Sequence, residues 1–414
     1  MKDKLLPSLR KDLDYFPTTE NDEILIVLSD KKGIAQNPIA ISQEMLSVFY
    51  ILEGNITEQQ FRKAFGKEFG AEATDVILQN VYKLDEMGFL ESPKFQEKLL
   101  QYHKKYELQA FRPMLTIGHS YPEDKNEFMK FMEDLFQKKV SKNTKKDYRG
   151  IIAPHLDMSL SDYSHRVYAA SYDAISESDA DTFVIFGTSH FVMTNYFMFT
   201  HKPYQTPLGT LGIDTEIINE ISQKMNRMEK LDKDFDNFTI NEDAHRWEHS
   251  IEYSAMMLSY VFRNRKIKII PILVGSFFEY IHNHKQPTEN PLIVETLQAI
   301  KEVLSEHKRN VCWISSVDFS HFGNKFGDEF DAKTKLDECI KEDSISIRHI
   351  LNGDYKAFFQ KGIFDQDKWK ICGLSPIYSQ MLAMDTKQGE LLDYNQWYED
   401  ATKSAVTIAA IGLE

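Results

Sequence analysis

Cysteine is scarce in this chain and badly placed for cross-linking. Its 414 residues hold three, Cys312, Cys339 and Cys372, an odd number with no close pair. That excludes a disulfide framework and a zinc ribbon, and it suits a reducing cytosol. Net positive charge is missing too: 49 Lys and Arg stand against 63 Asp and Glu, a formal charge of −14. Nonspecific nucleic-acid binding needs clustered cations, so nucleic acid is not an expected partner. An anionic membrane surface would repel the chain. No uninterrupted apolar segment reaches membrane length, and the start Met1-Lys2-Asp3-Lys4-Leu5-Leu6-Pro7 lacks an apolar signal core. A cytoplasmic protein is expected. Internal repeats and low-complexity tracts are absent as well.

What is present describes an ordinary globular chain, 42% hydrophobic and 27% charged. At this length two domains are expected. In residues 1–95, Glu23–Leu28 reads as a strand closed by a turn-prone stretch ending at Gly33. Met45, Val48, Phe49 and Leu52 keep helical spacing behind a cap at Ser42, and Thr57 with Gln60 makes a capping box for a second helix. A third helix carries Val76, Ile77, Val81, Leu84 and Met87 and stops at Gly88. Strand, three helices and a short terminal extended piece suggest a winged-helix-like unit. The pieces Leu52-Glu53-Gly54-Asn55-Ile56-Thr57 and Leu84-Asp85-Glu86-Met87-Gly88-Phe89-Leu90 resemble PqqD-like domains that accompany radical-SAM systems. That resemblance implies docking of a peptide or a radical-SAM partner by strand addition. A ligand-free accessory domain is the competing reading. Residues 96–111 read as a helical connector.

From residue 112 to 414 apolar strands alternate with helical patterns, the signature of an α/β unit with a mostly parallel sheet flanked by helices. Three strands run into histidines: Arg149–Ala153 before His155, Asp181–Thr188 before His190, and Asn310–Ser316 before Val317-Asp318-Phe319-Ser320-His321. Open α/β sheets bind ligands beyond the carboxyl ends of their strands, so these histidines are expected to converge. Two imidazoles and an oxygen ligand can hold Fe(II) with open positions, and zinc accepts similar ligands. Asp157, Asp318 and Glu248 are available carboxylates. A single helix over 247–262 is also expected. Trp247, Ile251, Ala255, Leu258 and Phe262 form its apolar stripe, and His245, His249, Glu252 and Met256 lie on another face beside Glu248. His249 is the candidate general base. The competing reading of that polar face is simple solvent exposure.

Family motifs then follow in order. They are Arg112-Pro113, Gly118-His119-Ser120-Tyr121-Pro122, Ile152-Ala153-Pro154-His155, Gly187-Thr188-Ser189-His190, Thr206-Pro207-Leu208-Gly209 with Asp214, Glu248-His249-Ser250-Ile251-Glu252, Pro271–Gly275, Ser316–His321, Cys372-Gly373 and Gly389–Tyr394. This part of the chain resembles the Memo family, the B component of AmmeMemoRadiSam systems. The resemblance implies a fold similar to class III extradiol dioxygenases, with His155 and His190 as metal ligands and His249 as acid/base. It puts Ser320 where animal members usually carry a cysteine ligand, with Asp318 or His321 as substitutes. Leu156-Asp157-Met158 replaces the common Ala-Gly-Tyr.

The metal set read from this is therefore His155, His190, His321 and Ser320, and the catalytic set is His249, Glu248 and Asp318. The metal is Fe(II), alternatively Cu or Zn, with a metal-free protein as the remaining option. The expected function is a metal-dependent, dioxygenase-like redox protein acting with a radical-SAM partner. A non-catalytic adaptor and a zinc hydrolase are the rivals. All of this requires the rings of His155 and His190 to meet.

Overall fold

The computed structural model describes residues 4–20, 23–30, 32–35, 37–139, 146–191, 195–229 and 238–414. The chain divides into two compact units, Met1–Ala110 and Phe111–Glu414.

The first unit opens with an antiparallel sheet of β1 (Asp14–Glu20), β2 (Glu23–Ser29) and β3 (Ile39–Ser42), in that order. β2 is the strand read from the sequence. Its two neighbours go beyond that reading, because β1 carries Pro17 and little alternation, as an edge strand can. Helices α1 (Gln43–Ile51), α2 (Glu58–Phe69), α3 (Ala71–Met87) and α4 (Pro93–Glu107) follow. Ser42 caps α1, and both bonds of the Thr57/Gln60 capping box form on α2. α3 ends at Gly88, where φ is 95° and a side chain would be strained. Leu52, Phe61, Val81, Leu84 and Phe89 are buried in this unit's core.

The second unit runs in this order: α5 (Lys125–Gln137), β4 (Gly150–Ala153), α6 (Ser161–Asp173), β5 (Thr182–Thr188), β6 (Phe197–Phe199), β7 (Tyr204–Thr206), β8 (Gly209–Ile213), α7 (Thr215–Glu229), β9 (Phe238–Ile240), α8 (Glu242–Trp247), α9 (Ser250–Val261), β10 (Lys268–Val274), α10 (Phe278–His282), α11 (Pro291–Glu306), β11 (Val311–Ser316), β12 (His321–Gly323), α12 (Leu336–Leu351), α13 (Tyr355–Asp365), α14 (Leu374–Met384), β13 (Gly389–Glu399) and β14 (Ser404–Leu413). Its large sheet has the order β12-β14-β4-β11-β5-β10-β6-β9. The centre, β4-β11-β5-β10, is parallel. β14 joins β4 antiparallel on one side, and β6 joins β10 antiparallel on the other. This is the expected α/β class, with antiparallel strands closing the flanks.

Every residue of β4 and β5 is buried, as their unbroken apolar runs require of strands covered on both faces. α6 and α9 pack together over β4, β5 and β11, while α14, backed by α11, covers β5, β10 and β11. Gly187 lets the start of α9 sit directly on β5: a Cβ there would fall 2.5 Å from Ile251 Cγ1 and 2.7 Å from Ser250 Oγ.

The expected single helix over 247–262 is in fact broken. α8 ends at Trp247, Glu248 is extended (φ −99°, ψ 127°), and α9 starts at Ser250. The Glu248 carboxylate turns back to accept the Ser250 N–H at 3.0 Å, as an N-terminal cap does.

Candidate metal centre

Because β4, β5 and β11 are parallel and in register, with Ser316 opposite both Ala153 and Gly187, their carboxyl ends open at one edge. His155 lies two residues beyond β4, His190 two beyond β5, and Asp318 two beyond β11. His249 enters from the break between α8 and α9. The three imidazoles meet: ring centres are 5.1 Å apart for His155 and His190, 5.4 Å for His155 and His249, and 5.2 Å for His190 and His249, the last pair stacked at 11°.

Each ring is held in a definite way. His155 Nδ1 lies 2.9 Å from the Ser316 carbonyl, which can only accept, so Nδ1 carries the proton and Nε2 offers a lone pair. The His155 backbone N–H donates to Asp318 Oδ1 at 2.9 Å. Glu248 grips His190 twice, accepting its backbone N–H at 2.7 Å and facing its Nδ1 at 2.9 Å. The same carboxylate stands 3.3 Å from His249 Nδ1. Glu248 is buried, which alone would push its carboxyl up. The His190 and His249 rings and the N–H donors overcome that and hold it far below the usual carboxylate range. Burial drives His155 and His249 down; the neighbouring imidazoles lower His155 further, and at His249 the opposing pull of the Glu248 carboxylate does not overcome burial, so both rings favour the neutral form. Burial raises the Asp318 carboxyl.

A fourth group completes the cluster. Cys372 Sγ lies 3.5 Å from His155 Nε2, and the Asp318 N–H points at the sulfur from 3.3 Å. One ligand atom from each of His155, His190 and Cys372 falls within 4.8 Å of the others; His190, Glu248 and His249 form an overlapping group. Gly373 makes room for this: a Cβ there would lie 2.9 Å from the Asp318 carbonyl and from Val317.

Two expected ligands stand elsewhere. Ser320 Oγ donates at 2.6 Å to Asp343, a buried carboxylate that also accepts from Thr407 Oγ1 and Tyr394 OH. It belongs to a closed network and does not join the cluster. His321 is not at the end of β11; it sits in β12, paired with β14. Its Nδ1 faces the Phe319 carbonyl at 2.9 Å, its ring packs on Phe326, and burial lowers it to about 4. Asp157 faces His119 at 3.1 Å instead of the cluster. The expected catalytic residues His249, Glu248 and Asp318 all border it.

A family model described as Memo-like protein matches residues 112–412. The chain belongs to the Memo family. A MEMO1 family protein of Aquifex aeolicus is 30% identical over 394 residues, covering 93% of this chain and 95% of the relative. One from Pyrococcus abyssi is 28% identical over 297 residues, 69% of this chain and 92% of its own. One from Sulfolobus acidocaldarius is 28% identical over 260 residues, 61% and 78%. The Aquifex match takes in most of the first unit, whereas the Pyrococcus match is much closer in length to the second unit alone.

In this Memo chain the donor set fits a metal ion. Tetrahedral binding at ordinary metal–nitrogen and metal–sulfur lengths puts ligand atoms about 3.5 Å apart, so the observed group needs only a small contraction. Both imidazoles have Nδ1 tied to a fixed oxygen, the support that metal-bound histidines commonly use. The Cys372 thiol is raised by burial and would have to lose its proton on binding. Cys372 is not among the ligands expected from the sequence, although Cys372-Gly373 stands among the motif pieces. A glycine beside a lone cysteine was the available signal. Next to the centre is a cleft of about 210 Å³ lined by Thr188, His190, Ser276, Asp367 and Cys372. Burial lifts the Asp367 carboxyl to about 7.

Proposed function

We propose that this protein is a metal-dependent redox protein, similar to extradiol dioxygenases, with the metal held by His155, His190 and Cys372. The observation that carries this is the meeting of two Nδ1-anchored imidazoles with a thiol beside a cleft. A bound redox-active metal supplies electron exchange and an open position for substrate. A thiolate is a softer donor than a carboxylate, so this set favours copper over the Fe(II) of a two-histidine, one-carboxylate site. Glu248 orients His190. His249, neutral and stacked on His190, is placed to accept a proton from a molecule in the cleft. Asp318 fixes the His155 backbone and donates its own N–H to the Cys372 sulfur.

The test is elemental analysis of the purified full-length protein beside a His155→Ala, His190→Ala double variant. About one copper or iron per chain is expected, lost in the variant with circular dichroism unchanged. No metal after anaerobic reconstitution would remove the reading, and zinc alone would turn it toward hydrolysis.

A partner reading has its own support. β1 is an edge strand, and its Tyr15 and Phe16 are exposed, which suits strand addition by a peptide or a radical-SAM partner. A purified radical-SAM protein from the same source should bind the full chain and lose affinity on Phe16→Lys; equal binding would count against this surface. Three free cysteines suit a reducing cytoplasm, and among the described residues no helix is long and apolar enough to cross a membrane.

A further inference from the structure

The histidine centre uses neither the Thr206-Pro207-Leu208-Gly209 turn nor Asp214. Both belong to the opposite edge of the sheet, where the strands begin. Thr206 Oγ1 donates to the Gly209 carbonyl at 2.7 Å, closing the turn between β7 and β8. The turn forms one rim of a second cleft of about 490 Å³, more than twice the size of the one beside the histidines.

This cleft inverts the charge of the molecule. In a chain of net charge −14, it is lined by Arg263, Arg265, Lys266, Lys268 and Arg309 against a single carboxylate, Asp181. Asp214, buried behind the wall, pairs with Lys268 at 3.1 Å and with Arg309 at 2.9 Å and braces both, and Glu216 stands 3.7 Å from Arg309. The other cations are not neutralised. Arg263 donates to the Tyr260 carbonyl at 2.8 Å, and Arg265 donates to the carbonyls of Ala180 (2.7 Å) and Ser178. Their guanidinium groups lie over the Tyr260 and Phe262 rings, which limits their freedom. Among the described residues, neither they nor Lys266 has a carboxylate partner. Arg309 also keeps a buried Nε with no hydrogen-bond acceptor, and buried donors ordinarily have one. The floor is apolar, built from Leu208, Leu258 and Phe262.

We propose that this cleft is a binding site for a phosphorylated small molecule. Its phosphates would be held by Arg263, Arg265 and Lys266, and its organic part would rest on Leu208, beside the Phe262 ring that Arg265 covers. Guanidinium forks match phosphate oxygens, and fixed cations without counter-charges lose little on meeting an anion. The cations face a pocket of small-molecule size, which argues against a long polyanion.

Calorimetry on the full-length protein tests this, with ADP, inorganic pyrophosphate and a single-stranded oligonucleotide as probes. ADP is expected to bind saturably at or below about 1 mM, more tightly than pyrophosphate, with affinity falling as salt is raised. An Arg263→Glu, Lys266→Glu variant, altered only at exposed side chains, is expected to lose at least about tenfold in ADP affinity. Its melting temperature and metal content should match the parent. Absence of ADP binding, or equal binding by the variant, overturns the site. Pyrophosphate binding more tightly than ADP overturns the role of the apolar floor, and tighter oligonucleotide binding overturns the ligand class.

Discussion

Cys372 Sγ stands 3.5 Å from His155 Nε2 across 217 residues of chain. The contact joins the loop before α14 to the end of β4, and it exists because β11 lies between them. Asp318, leaving β11, binds the His155 backbone with its side chain and the Cys372 sulfur with its N–H. One residue thus sets the spacing of two ligands.

Cys372→Ser should therefore retain the fold and lose metal. A hydroxyl is a poor ligand unless ionised, so affinity is expected to drop at least as far as the 10–100-fold typical of a lost supporting partner. Ser320→Ala should do the reverse. Metal content stays at the parent level, while stability falls by roughly 1–3 kcal/mol because Asp343 loses a buried donor. Titration with a competing chelator and urea unfolding of both variants separate the two roles; metal loss in Ser320→Ala would reinstate the serine as a ligand.

Glu248→Gln probes support for the centre. The carboxylate accepts from the His190 N–H, faces His190 Nδ1 and caps α9 through Ser250. An amide keeps the shape but can no longer fix the ring's protonation, so metal affinity is expected to fall about 10–100-fold. Glu248→Asp should be worse, since a shorter side chain cannot span β5 and α9 together. Unchanged affinity in both would show that His190 is held by packing alone.

His155 and His190 were legible in the sequence because the end of a buried strand is a local property. Cys372 was not, because its place depends on a loop folding back over β11. The break at Glu248 was hidden for a related reason. Trp247, Ile251 and Ala255 keep perfect helical spacing through it, and what interrupts the helix is the recruitment of the Glu248 side chain by His190, 58 residues away. Ser320 was expected as a ligand from the family resemblance alone, whereas in the fold its hydroxyl bonds Asp343 and the next residue, His321, pairs with β14. In the first unit the helices and their caps could be read from spacing, but β1 could not, with Pro17 in its middle.

Arg112 anchors the segment that closes over α9. Its guanidinium forms a buried ion pair with Glu252 and donates to the carbonyls of His245, at 3.0 Å, and Glu248. Glu252 also accepts from Leu115 N at 2.8 Å, Thr116 N at 2.9 Å and Tyr121 OH at 2.6 Å. Removing Arg112 leaves the buried Glu252 charge without its cation, so Arg112→Met should cost about 3–5 kcal/mol. The joint variant Arg112→Met, Glu252→Gln should recover part of that loss. Urea midpoints of the two singles and the double give the coupling, and strict additivity would show that the pair is not energetically linked.

The buried His245 makes a pH dependence that can be assigned to one ring. Its Nε2 faces the Met198 carbonyl at 2.8 Å, which requires a proton there, and its Nδ1 accepts from Tyr204 OH at 2.9 Å. Both contacts suit the neutral ring, and burial lowers it to about 3. In the unfolded chain a histidine titrates near pH 6.5. Between these values the unfolded state binds the extra proton, so the contribution is complete above about pH 6.5 and is lost as pH falls toward 3, by up to about 1.4 kcal/mol per pH unit. His155, His249 and His321 are depressed in the same direction and add to the slope. Gln can donate to Met198 and accept from Tyr204 without titrating. Metal-free His245→Gln should therefore show a stability slope between about pH 6 and 5 shallower by close to one proton than its parent. Chemical denaturation at half-unit pH intervals measures it, and an identical slope in the two proteins would mean that His245 is already protonated in the fold.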